Sequence, residues 1–215
     1  MAQRKVRNVL TELLGRLNEC ERLASDAHGW SLPSPGGGRP LISRRRRDSM
    51  AELAFLRAFL AWETFIERSF ILYLTGQRAP RGRPPRRYSF PPSQAMAMRW
   101  VTPERRPYAE WTDPQTVSDR AERFFHHGRP FAPVLRSNQN MLDEARKIRN
   151  AIAHTSVNAR QQFEILVRQK LGTLSPNLSV GGFLATSVSG ITPPMTFLEF
   201  YTGKIEAAAH QIVPS

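Results

Sequence analysis

The chain has 215 residues and a formal net charge of +13, with 31 lysines and arginines against 18 aspartates and glutamates. That length can bury one sizeable hydrophobic core, and the single cysteine, Cys20, excludes an intramolecular disulfide and a cysteine-rich zinc site. The cationic excess favours a polyanionic partner, because clustered cations gain by displacing counterions from phosphates; a compositional bias towards Arg, Ala, Gly and Pro is the competing reading, since 27 of the basic residues are arginine.

The first predicted helix covers residues 4–27, where Val6, Val9, Leu10, Leu13, Leu14, Leu17 and Leu23 recur at three- and four-residue spacing. Residues 1–8 are charged and lack the apolar core of a signal peptide, so a cytoplasmic location is expected. A loop rich in proline and glycine follows at 33–38, and a second helix begins between Ser43 and Asp48 and runs to Leu74, with Gly76 as its stop. This helix is apolar around most of its circumference, the mark of a buried bundle centre. Arg57, Glu63, Glu67 and Arg68 interrupt it too often for a membrane span. On a helical wheel Glu52, Glu63 and Glu67 form one narrow polar stripe.

Residues 77–111 form a long proline-rich loop, with room for a short helix at 94–100. It carries eight arginines, among them Arg83, Arg86, Arg87, Arg105 and Arg106, interleaved with Tyr88, Phe90, Trp100, Tyr108 and Trp111. Rings that stack on bases and guanidinium groups that pair with phosphates are the ingredients of a single-stranded RNA surface. The alternative is a wrap whose aromatics dock on the helices. Asp113 and Pro114 then start a helix through 117–125, as an N-cap followed by proline at the first helical position. Gly128-Arg129-Pro130 ends it, and one long helix is predicted over 133–154. Ser156 opens the next, stopped by Gly172; residues 174–194 form a connection in which 183–186 are extended, and a last helix covers 196–212. The expectation is an all-α, single-domain bundle of five or six helices over 1–215. Within it, 1–42 hold the first helix and loop, 43–76 the core helix, 77–112 the basic loop and 113–215 the remaining helices.

The stretch with chemistry in it is Arg149-Asn150-Ala151-Ile152-Ala153-His154. A fixed guanidinium can hold a phosphate and an imidazole can move a proton near neutral pH, which together suffice for RNA cleavage without a metal or other cofactor. Five residues apart on an unbroken helix, Arg149 and His154 would diverge by about 140°. Either the helix ends near Ala153 and swings the imidazole round, or two copies of the chain meet at a twofold axis and share a cleft; a homodimer is the arrangement favoured. The bland alternative makes Arg149 a cap for carbonyls and His154 a histidine placed at a helix C-terminus by the macrodipole. His126-His127 has no matching His, Cys or carboxylate spacing nearby, so no metal site is expected. Signatures of a serine nucleophile or a phosphate-binding loop are absent from the sequence as well.

Taken with Trp62-Glu63 in the core helix, Ala121-Glu122-Arg123-Phe124-Phe125 and Gly182-Phe183-Leu184, the motif resembles the Arg-(four to six residues)-His signature of the HEPN superfamily (higher eukaryotes and prokaryotes nucleotide-binding). The resemblance spans roughly 51–209. It implies a dimerising helical bundle with metal-independent endoribonuclease activity, of the kind found in toxins and defence effectors held by an antitoxin or regulatory protein. It gives catalytic roles to Arg149 and His154, a supporting role to Asn150, and less directly a supporting role to Glu63, which otherwise belongs to the solvated stripe. The alternative function is a non-catalytic HEPN module that binds RNA or protein.

Overall fold

The computed structural model describes residues 5–33, 37–104, 108–173, 175 and 178–214. Among them are nine α-helices: α1 (Val6–Trp30), α2 (Arg44–Leu74), α3 (Gln94–Val101), α4 (Pro114–Phe124), α5 (Phe131–Ser137), α6 (Gln139–Ala153), α7 (Val157–Leu171), α8 (Val180–Leu184) and α9 (Phe197–Ile212). The all-α class stands, but the expected five or six helices are too few: eight of the nine have seven residues or more.

The undercount has local physical causes. The single helix expected over 133–154 is two, α5 and α6, parted at Asn138. There the side-chain Nδ2 donates to the Val134 carbonyl at 2.9 Å, alongside the residue's own backbone N–H at 3.2 Å, a competition that asparagine characteristically brings to helix interiors. Pro133 lies inside α5 and not at its start; it is tolerated because the first-turn N–H groups have no helical partner. The extended segment expected at 183–186 is instead the short helix α8 with its trailing turn, capped by the Ser179 hydroxyl, which accepts from Gly182 N at 2.9 Å. Inside the basic loop, α3 is closed at its N-terminus by the Ser93 hydroxyl and buries Ala97 and Val101.

The chain packs as two compact units. The first comprises Met1–Gly15, Ala61–Asp143 and Ile205–Ser215. Its centre is Phe70, wholly buried, whose ring meets Phe125 and Phe131 at 5.0 Å each and Trp111 at 5.3 Å. Beside it the buried phenol of Tyr73 donates to the Ile212 carbonyl at 2.9 Å. α4 begins as its residues dictate: the Asp113 carboxylate accepts from Thr116 N at 2.8 Å and Pro114 occupies the first turn. Buried Arg120 stacks its guanidinium 4.4 Å from the Trp111 ring and donates to the Glu110 carbonyl at 2.7 Å. Between α4 and α5, Gly128 has φ +65, and a Cβ there would lie 2.5 Å from the Ala132 side chain, so only glycine fits the turn.

The second unit comprises Arg16–Leu60 and Glu144–Lys204. Phe183 of α8 stacks on Phe197 of α9 at 4.3 Å and meets Phe163 of α7 edge-on at 5.6 Å. Tyr201 packs against Phe55 of α2 and donates to the Glu144 carboxylate at 3.0 Å, while Lys170 holds the other oxygen of that carboxylate at 2.7 Å. α7 has the predicted ends, the Ser156 hydroxyl accepting from Ala159 N and Gly172 closing it in the left-handed conformation at φ +73. No helix of the described residues is long and apolar enough to cross a membrane.

Candidate functional site

The motif lies at the C-terminal end of α6 in the second unit. The last helical hydrogen bond runs from His154 N to the Asn150 carbonyl at 2.9 Å, the helix ends at Ala153, and residues 154–156 are non-helical before Ser156 caps α7. The pair meets all the same. Arg149 Nη1 lies 3.4 Å from His154 Nε2 and donates to Asn150 Oδ1 at 3.1 Å. One chain therefore brings guanidinium, carboxamide and imidazole together, without the second copy expected to do so. The Arg149–His154 separation is at the outer edge of hydrogen-bonding range, so the pair is adjacent but not locked. Arg149 and Asn150 are half-buried and His154 is exposed.

His154 opens onto a cleft of about 440 Å³, within the range of sites that hold a small molecule or a nucleotide. Its walls bring Ser156, Arg160 and Phe163 from the start of α7, Ser179 ahead of α8, and Glu52 of α2 to the same space as the imidazole. Arg160 is paired with Glu164 one turn on, at 3.1 Å, and its side chain is well exposed. Glu52 Oε1 accepts from Gly181 N at 2.9 Å. The wall is closed by a short polar chain in which Ser179 donates to Asp48 at 2.7 Å and Asp48 also accepts from Arg47 at 2.9 Å. Gly181 makes this closure possible, because a Cβ there would meet the Asp48 carbonyl oxygen at 2.0 Å.

Glu52 is the cleft residue that the wheel places in a solvated stripe. The sequence signal that points to it is the Gly181-Gly182 pair, since adjacent glycines mark a close backbone approach. Glu63, the carboxylate expected to support the motif, is half-buried on the part of α2 that belongs to the first unit. Among the described residues no cluster of three or more His, Cys, Asp or Glu side chains could hold a metal ion.

The basic loop divides. Arg83 and Arg86 are exposed. Arg87 is a structural cation: it donates to the Leu74 carbonyl at the end of α2 at 2.8 Å and lies 4.8 Å from the Phe90 ring. Arg105 and Arg106 lie outside the described residues. Trp111 is a core residue, whereas Tyr88, Phe90, Trp100 and Tyr108 are exposed.

No family model, curated protein or solved structure matches the chain.

Proposed function

We propose that the protein is a metal-independent endoribonuclease of the HEPN type that cleaves RNA through the ribose 2′-hydroxyl. The observation that carries the reading is the contact of Arg149 with His154, a residue that lines a cleft of about 440 Å³. In the proposed reaction the 2′-oxygen attacks the adjacent phosphorus, the bond from phosphorus to the 5′-oxygen breaks, and a 2′,3′-cyclic phosphate and a 5′-hydroxyl result. His154 takes the proton of the 2′-hydroxyl or delivers one to the departing 5′-oxygen. Arg149 neutralises the non-bridging oxygens as charge builds on them, and Asn150 holds the guanidinium in place. The reaction has two proton transfers and each chain one such imidazole, so a homodimer that apposes two motifs supplies one for each role. By the resemblance, the activity is that of a toxin or defence effector under the control of a second protein.

The test is cleavage of varied RNAs in EDTA by the wild type, His154→Ala and Arg149→Ala. The expected result is cleavage by the wild type and a loss of about 10²–10⁴-fold in the histidine variant. Equal activity of wild type and variant, or no cleavage by either, overturns the reading. Tight RNA binding without products would leave a non-catalytic binding module in its place.

A further inference from the structure

A second feature lies in the first unit. Residues 86–88 pair antiparallel with 124–126: Tyr88 N donates to the Phe124 carbonyl at 2.9 Å, His126 N to the Arg86 carbonyl at 3.0 Å, and Arg87 stands opposite Phe125. Side chains alternate across such a pairing. Phe125 is fully buried and Arg87 reaches in to the Leu74 carbonyl, so the inward face is taken by these two. Arg86 and Tyr88, the neighbours of Arg87, are turned to solvent. The Tyr88 ring stacks on His126 with centroids 4.1 Å apart and planes 23° apart. One face of the phenol is thus covered, yet the residue keeps 55% of its surface exposed. Phe90 follows, more exposed still, with the Arg87 guanidinium against its ring.

The electrostatics of the segment are one-sided. Residues 77–90 carry five arginines and no acidic residue. Glu122, the acidic residue nearest in sequence to His126, is engaged by Arg136 at 2.7 Å. Large rings held out to water by a paired backbone, with exposed guanidinium groups beside them, suit a partner with flat apolar faces joined by a regular run of negative charge. A single-stranded polynucleotide has that chemistry. A duplex hides its base faces, and an acidic peptide has few rings to offer.

We propose that the Arg86–Tyr88–His126 face, extended by Phe90 and Arg83, is a binding site for single-stranded RNA, on which one base stacks on the open face of Tyr88 while Arg83 and Arg86 hold the flanking phosphates. The contacts read neither the base edges nor the 2′-hydroxyl, so the site is indifferent to sequence and takes single-stranded DNA equally well. It does not depend on cleavage at His154.

The test measures fluorescence anisotropy of labelled oligo(U), oligo(dT) and a hairpin duplex against the full-length chain, all in a His154→Ala background so that no probe is cut. Tyr88→Ala is expected to weaken oligo(U) and oligo(dT) binding by roughly five- to a hundredfold, Tyr88→Phe to retain it, and the duplex to bind more weakly than either single strand. Arg86→Ala is expected to lower the slope of log affinity against log salt by about 0.7, the loss of one phosphate contact on a single strand. Affinity unchanged by Tyr88→Ala in a protein with a wild-type thermal melt overturns the proposal. So does a duplex bound as tightly as the single strand, or polyglutamate bound with the same dependence on Tyr88, which would assign the face to an acidic protein. Failure of cleavage with binding intact would count against the nuclease reading alone.

Discussion

Substituting Gly181 by alanine sets two principles against each other. In an exposed helix the change is stabilising, because alanine loses less backbone entropy than glycine, by about 1 kcal/mol at most. At Gly181 the added Cβ would sit 2.0 Å from the Asp48 carbonyl oxygen, 2.4 Å from its carbon and 2.7 Å from its Cα. Carbon contacts are favourable only near about 3.5 Å, and the obstruction is backbone, which has no rotamer to change. α8 must therefore withdraw from α2 by more than about 1 Å, on the scale of that same contact distance. The withdrawal strains the Gly181–Glu52 and Ser179–Asp48 hydrogen bonds, each contributing about 0.5–1.5 kcal/mol, on top of about 1–3 kcal/mol of overpacking. At roughly 2–4 °C per kcal/mol for a chain of this size, Tm should fall by about 10 °C. Exposed Gly15 in α1 is the control, since nothing lies within 4 Å of its added Cβ; there alanine should raise Tm by about 1–4 °C. Circular dichroism melts at 222 nm read both. If Gly181→Ala melts at or above the wild-type temperature, the close approach that shapes the cleft wall is wrong.

Two further outcomes follow from other parts of the structure. Asp113→Ala removes the carboxylate that closes α4 onto Thr116, and urea denaturation should show a loss of about 1 kcal/mol, recovered in large part by Asp113→Asn. At high pH the buried phenols decide: burial pushes the ionisation of Tyr73 well above the ordinary tyrosine range, and burial aided by the Glu144 carboxylate does the same for Tyr201. Both hold their protons longer folded than unfolded, so their contribution is complete below about pH 10 and declines above it, by up to about 1.4 kcal/mol per pH unit for each. The urea midpoint should therefore drop between pH 9 and pH 11, and Tyr201→Phe, weaker at pH 8 for want of its bond to Glu144, should drop less steeply.

What could be read from the residues alone was what is local. Asp113-Pro114 starts α4, and Ser156 and Gly172 bound α7, because caps and left-handed stops act within one turn. α8 was illegible for the opposite reason: two glycines in a five-residue helix have poor intrinsic propensity, and the site is decided by Asp48, far away in the chain. The same distance hid Glu52, since a helical wheel shows which residues share a side of α2 but not that Gly181 will donate to one of them. Arg149 and His154 were visible as a pair of reagents, while spacing left open whether they meet within one chain or across two copies. In the basic loop, composition could not separate Trp111, which fills the space beside Phe70, from Tyr88, which stands on His126 in solvent.

The end group of the RNA product tests the central claim most directly, because attack by the neighbouring ribose hydroxyl leaves a mark that no other route leaves. With the wild-type protein in EDTA, mass spectrometry of a cleaved oligoribonucleotide should find a 2′,3′-cyclic phosphate on the upstream fragment and a 5′-hydroxyl on the downstream one. A single 2′-deoxy substitution at the cleaved nucleotide should abolish the product, as should His154→Ala. Fragments ending in a 3′-hydroxyl and a 5′-phosphate, or cleavage that survives the 2′-deoxy substitution, would contradict the pairing of Arg149 and His154 as the reaction's machinery.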